Sequence, residues 1–311
     1  MKHTAQLPQE ALSRIAQALE NLVAQQQNPA PSATDWSTAI AFRWRHSHGP
    51  SQGRAGYLQA VHQVAGMSLA TLQHVDIQKA KIVQNTAQFV AKQPANNVLL
   101  TGARGTGKSS LIRAVLHEFA PQGLRLVEID KDDLLDLPDV VELLATRSER
   151  FIVYCDDLSF EDGEGAYKAM KSALDGSIAG QTDNVLIYAT SNRKHLMPEY
   201  ESENLSYKNT ADGEIHPGDV VEEKISLSER FGLWVSFHPF NQDHYLDIVA
   251  HWLKSLGHEL NGDSRYFALQ WALERASRSG RVAQQFARDW AGRAAMGIAP
   301  KAPAAIGARI R

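Results

Sequence analysis

A chain of 311 residues, 43% of them apolar, has enough hydrophobic material for one large packed domain or two smaller ones. A formal net charge of −3 provides no global basic field for a nucleic acid or an anionic membrane. The N-terminal MKHTAQLPQEALSRIAQ lacks a secretory h-region, no run reaches the roughly 18 apolar residues needed to span a bilayer, and the single cysteine excludes an internal disulfide. A soluble cytoplasmic protein is expected, with Cys155 as a buried core thiol and no membrane partner.

In chain order, residues 7–27 place Leu12, Ile15, Leu19, Leu22 and Val23 at helical spacing, and NPAPSATD ends that helix. The mixed basic and aromatic FRWRHSH (42–48) is expected to be a strand or loop packed on the core rather than a nucleic-acid surface. Residues 76–92 form a second helix, closed by Pro94. Strands then alternate with helices: NVLLT (97–101), LRLVEID (124–130), FIVYCD (151–156), NVLIYAT (184–190) and GLWVSFHPF (232–240). Between them lie helices at 109–120, around 138–146, and after residue 164, where Tyr167, Met170 and Leu174 share a face. Near-continuous apolar strands in such alternation imply a parallel sheet of five strands covered on both faces, hence an α/β fold. Residues 241–295 carry three helical patterns, and the Ala/Pro/Gly-rich end reads as a disordered tail. The expected divisions are an N-terminal helical extension and linker (1–70), an α/β core (71–240), an α-helical unit (241–297) and the tail (298–311).

The first apolar strand runs into GARGTGKS (102–109), which fits G-x-x-x-x-G-K-[ST] with a strand before it and a helix after it. Gly102, Gly105 and Gly107 allow the backbone to curl into an anion nest. Ala103, Arg104, Thr106 and Ser110 complete the turn, whose helix adds a positive N-terminal end. Lys108 supplies a full charge to β- and γ-phosphates, and Ser109 a hydroxyl to Mg²⁺. FIVYCDD ends where ligands bind in a parallel sheet. Asp156 there suits a metal-binding carboxylate, and Asp157 a base that orients and deprotonates a water. Glu161 competes for the base role, and either residue could instead cap the next helix. ATP and Mg²⁺ are the ligands this pattern implies.

The order of these parts resembles the AAA+ superfamily of P-loop ATPases over roughly residues 70–295. The resemblance implies that Asn192 of ATSN is a sensor of the γ-phosphate or the attacking water, and that Arg230 of SERFGL is an arginine finger. It also implies that Arg281 of SGRVAQQFARDW reaches the γ-phosphate from the lid. The plainer alternatives are a turn asparagine, a surface arginine paired with Glu229, and a helix-start arginine, although a cation at that position opposes the helix dipole unless an anion is near. The wording of AFRWR, ANNVLLTGARGTGKSSL, DKDDLLDLPD, CDDLSFE and EEKISLSERFGLW is similar to a bacterial family of single-module predicted ATPases catalogued as a domain of unknown function. One departure from the superfamily pattern is Asp156-Asp157 in place of Asp-Glu, which draws the second carboxylate back by one methylene.

The resemblance implies an ATPase acting as a homo-oligomer with a finger in trans, which remodels or loads an unknown protein client. An ATP-gated binding module with little hydrolysis is the alternative, kept open by the Asp-Asp pair. A GTPase would carry N-K-x-D, which is absent. The loop KDDLLDLPD lacks the aromatic residue of threading motors, and its acids disfavour nucleic acid. The acidic stretch 195–228 is either a partner-docking loop or a solvated insertion.

Overall fold

The computed structural model describes residues 36, 39–49, 52–158, 164–176, 182–192, 208–209, 215–216 and 227–303. The helix expected over 7–27, Glu161, most of the acidic stretch 195–228 and the chain beyond residue 303 lie outside the described residues.

Seven strands form the main sheet: β1 (Ala41–Gly49), β2 (Gln52–Ala60), β3 (Val98–Gly102), β4 (Leu124–Ile129), β5 (Arg150–Cys155), β6 (Val185–Ser191) and β7 (Leu233–Phe237). Their order is β2-β1-β4-β5-β6-β3-β7, and every neighbouring pair is parallel except β1 with β2. The expected sheet of five strands is therefore corrected to seven. The five expected strands are all present, and a β1–β2 hairpin adds two more at the β4 edge. Lys208–Asn209 and Ile215–His216 pair separately as a short antiparallel ribbon.

Strand alternation divides the core into two layers. On one face Val98, Leu100, Ile152 and Tyr154 pack with helices α1 (Asp76–Val90) and α2 (Lys108–Phe119). On the other face Leu99, Phe151, Val153 and Cys155 pack with α3 (Leu137–Ala145) and α4 (Glu164–Asp175). Tyr167, Met170 and Leu174 are buried in this second layer, as their spacing implies. Cys155 is buried there too, and burial pushes its thiol up, away from ionisation. The buried Tyr188 hydroxyl bonds Thr86 and Asn85, tying α1 to β6.

The hairpin shares this core. Phe42 and Trp44 point into the second layer with Leu58, while the intervening arginines project from the opposite face. Arg43 pairs with Glu128 at 2.5 Å and Arg45 with Asp130 at 3.1 Å. His46 contacts Asp133 at 3.0 Å and Asp136 at 2.9 Å, and the Trp44 indole donates to Asp136 at 3.0 Å. Arg43 and Arg45 of the basic-aromatic stretch thus offset Glu128 and Asp130 at the start of the acidic loop. The loop is not a bare anionic surface, and this removes the ground on which the sequence disfavoured nucleic acid.

Three helices follow β7: α5 (Gln242–Ser255), α6 (Gly262–Glu274) and α7 (Gly280–Ala295). Each starts at a side-chain cap: Asn241, Asn261 in a capping box with Ser264, and Ser279. Tyr245, Phe286 and Trp290 continue the first core layer into this unit. No helix among the described residues is long and apolar enough to cross a membrane.

Candidate functional site

The turn after β3 requires glycine at two points. Gly102 has φ of 130°, and a Cβ there would collide with the backbone carbonyl of Phe237 on the adjacent β7. Gly105 has φ of 75°, and a Cβ would lie 2.7 Å from the Ser279 side chain at the start of α7. Both positions combine positive φ with close approach, which only glycine accommodates. Gly107, at φ of 103°, then opens α2.

Lys108, the first residue of α2, is buried. Its ammonium donates to the carbonyls of Gly102 and Ala103 at 2.6 and 2.9 Å and to Asn192 Oδ1 at 2.9 Å. Burial pulls its pKa down, and Asp156 and Asp157 oppose that shift. The lysine is held by three acceptors at the mouth of the turn, with the α2 N-terminus beside it.

Ser109 Oγ donates to Asp156 Oδ1 at 2.9 Å, and Thr190 Oγ1 donates to the same oxygen at 2.5 Å. Burial pushes the Asp156 carboxyl up, but hydroxyl interactions, that of Thr190 first and then those of Tyr154 and Ser109, together with the Arg113 charge, outweigh it and hold the pKa below the usual value. Ser109 and Asp156 offer two hard oxygen donors at the roughly 3 Å separation of adjacent ligands around an octahedral ion with 2.0–2.1 Å bonds. This donor set fits Mg²⁺.

Asp157 lies in the left-handed region at φ of 52°. Its N–H donates to Thr190 Oγ1 at 2.9 Å, its carboxylate accepts from Asn192 Nδ2, and Arg104 Nη2 lies 3.5 Å from it. Thr190 therefore serves both aspartates, accepting from one backbone and donating to the other carboxylate. On α7, Gly280 N–H donates to the Gly105 carbonyl at 2.9 Å, which brings Arg281 to the wall of the same cavity.

That cavity, of about 520 Å³, is lined by Arg104 to Ser110, Asp156, Asp157, Asn192 and Arg281. Of the residues singled out from sequence, those from the turn, both aspartates, Asn192 and Arg281 come together. Arg230 does not. Its Nε donates to Asp175 Oδ1 at 2.7 Å at the end of α4, and it lines a different cavity with Asn97 and Arg150, at the opposite ends of the strands. Sequence reasoning overlooked Thr190, Arg113, Gln284 and the Met67–Val75 segment, whose Leu72 and Gln73 form one wall. Thr190 carried a usable signal: it lies two residues before Asn192 at the end of one strand, so both share a face.

The family described as "Protein of unknown function (DUF815)" matches residues 37–294. Among solved structures the chain is similar to the Thermotoga maritima RuvB Holliday junction branch migration motor. The identity is 15% and the TM-score 0.50, over 76% of this chain and 68% of that one. A proline-to-glycine mutant of the same Thermotoga maritima motor gives 14%, 0.52, 78% and 71% in the same terms. No curated protein matches the sequence. With the family match spanning most of its length and the strand–turn–helix site of a P-loop NTPase, the chain belongs to the DUF815 family and has the fold of the AAA+ P-loop ATPases.

Proposed function

We propose that this protein is an ATPase that binds Mg-ATP in the 520 Å³ cavity and hydrolyses it, in an oligomer that acts on a macromolecular client. The observation that carries the reading is the convergence of Lys108, the Ser109–Asp156 pair, the Asp157–Asn192 pair and Arg281 on one cavity. The backbone N–H groups of the turn and the Lys108 ammonium bind the phosphates. Ser109 and Asp156 would hold Mg²⁺, which when bound neutralises charge on the transferring phosphoryl group. Asp157 accepts the proton of the attacking water, with Asn192 orienting it; Glu161 is the competing base. Arg281 reports the γ-phosphate to α5–α7, which act as a lid.

Arg230 lies away from its own subunit's cavity, which supports a role across an interface, on the phosphate of a neighbouring copy. The likeness to RuvB, described as a branch migration motor, supports a motor-like use of the fold.

A second reading, an ATP-gated switch with little turnover, is favoured by the state of Asp157. Its carboxylate is already engaged by Asn192 and lies near Arg104, and it is shorter than glutamate. Phosphate release from ATP separates the two readings. The ATPase reading expects release that requires Mg²⁺ and stops when the ion is chelated. ATP binding without release above background favours the switch.

A further inference from the structure

The acidic loop after β4 and the end of β1 meet in a second cluster, far from the turn in sequence and on the other side of β5 in the sheet. His46 Nε2 lies 3.0 Å from Asp133 Oδ1 and 2.9 Å from Asp136 Oδ2. The three donor atoms all lie within 4.8 Å of one another. The imidazole side chain is only 9% exposed, with the aspartates at 15% and 23%.

Chain topology explains how they meet. β1 runs parallel to β4 with Arg43 beside Glu128. Both strands therefore finish at the same end of the sheet, where β1 delivers His46 and β4 delivers Lys131–Asp136, a 3₁₀ turn. Asp133 and Asp136 are three residues apart, so in a 3₁₀ turn their side chains align on one side.

One imidazole nitrogen with two carboxylate oxygens around it is a crowded arrangement for a hydrogen bond. Nε2 carries at most one proton, and two anionic oxygens claim it at nearly equal distance. The same three atoms suit a cation better. Tetrahedral Zn²⁺, with bonds of about 2.0–2.2 Å, separates its ligands by roughly 3.3 Å. The observed 2.9 and 3.0 Å would open by a few tenths of an ångström to admit it. An outer contact is also in place: the Trp44 indole N–H donates to Asp136 Oδ2 and orients that carboxylate. An imidazole in the set discriminates against Mg²⁺ and Ca²⁺, which take oxygen ligands.

We propose that His46, Asp133 and Asp136 form a divalent transition-metal site of the zinc class, which pins the β1–β2 hairpin to the loop after β4. It is separate from the Ser109–Asp156 pair. Its ligands come from a strand and a turn, with His46 and Asp133 87 positions apart in the chain. Metal binding would therefore hold the hairpin in place in addition to its packing.

The test uses the full chain stripped of metal, with zinc chloride as the probe and no nucleotide. Calorimetric titration of the parent should show one zinc equivalent that is absent, or at least about 100-fold weaker, in both His46→Gln and Asp133→Asn. Even the loss of a partner that merely orients a ligand typically costs about 10–100-fold, so loss of a ligand should cost at least that. Lys108→Ala should retain that equivalent in full, and equimolar magnesium or calcium should not displace it. Circular dichroism of the two variants checks that each is folded. If His46→Gln proves unfolded, Asp133→Asn and Asp136→Asn decide the matter by the same titration. The proposal is overturned if the parent binds no zinc at millimolar concentration, or if folded variants bind it as the parent does. In either case His46 is a hydrogen-bonded clamp for the two carboxylates.

Discussion

Asp157 illustrates how much of the site depends on single residues. Left-handed backbone costs most L-residues about 1–2 kcal/mol, and aspartate and asparagine tolerate it better than others. The cost is sustained here because Thr190 and Asn192 fix both ends of the residue. Asp157→Asn keeps that conformation and removes the proposed proton acceptor. ATP affinity should stay within a few-fold while turnover falls on the order of 10²–10⁴-fold. Steady-state phosphate release beside a binding isotherm checks both halves. If Glu161→Gln stops turnover and Asp157→Asn does not, the base is Glu161. At this scale the turn was legible in sequence because its chemistry is contiguous. Gln284 was not, because it meets the cavity only when a separate element brings it there.

Apart from α2, which continues from it, α7 is the helix bonded to the Gly102–Ser109 turn. Gly280 bonds to Gly105, and the Ser279 cap fills the space where a Gly105 side chain would project. A cation two residues past that cap opposes the helix dipole unless an anion offsets it. Arg281→Ala should leave the fold intact but uncouple α5–α7 from the ligand. Hydrogen exchange with and without a non-hydrolysable ATP analogue is the measurement. Added protection in α5–α7 should be clear in the parent and largely lost in the variant; equal protection would remove Arg281 from the coupling. Apart from the helix expected over 7–27, which lies outside the described residues, the expected helices and five of the strands could be read from apolar patterning. Of the β1–β2 hairpin only β1 was expected, as a strand or loop at 42–48, and β2 was not. β1 alternates apolar residues with arginines whose acidic partners lie 85 positions away. β2 is an edge strand in which Gly56 leaves room for the Trp44 ring. Pairing across such separations leaves little local pattern.

For the whole molecule, Arg230 is the residue that bears on assembly. Bound to Asp175 at the far ends of the strands, it cannot reach the Lys108 cavity of its own subunit by a change of rotamer. If it acts in trans, a lone subunit lacks a cation worth on the order of 10³–10⁵ in rate. Lys108→Ala and Arg230→Ala should each be nearly inactive, and a mixture should recover part of the activity, since some interfaces then pair an intact turn with an intact arginine. Mixed oligomers confirmed by mass that show no recovery would make Arg230 structural, through Asp175. All of this rests on the cavity binding ATP through Lys108, and one titration decides that. Loss of a charged hydrogen-bond partner costs about 1.5–3 kcal/mol, or roughly 10–150-fold in affinity. Calorimetry of Mg-ATP should therefore show saturable binding to the parent and a loss of that size or more in Lys108→Ala. Equal affinity in the two proteins, or no binding to the parent, would contradict the account.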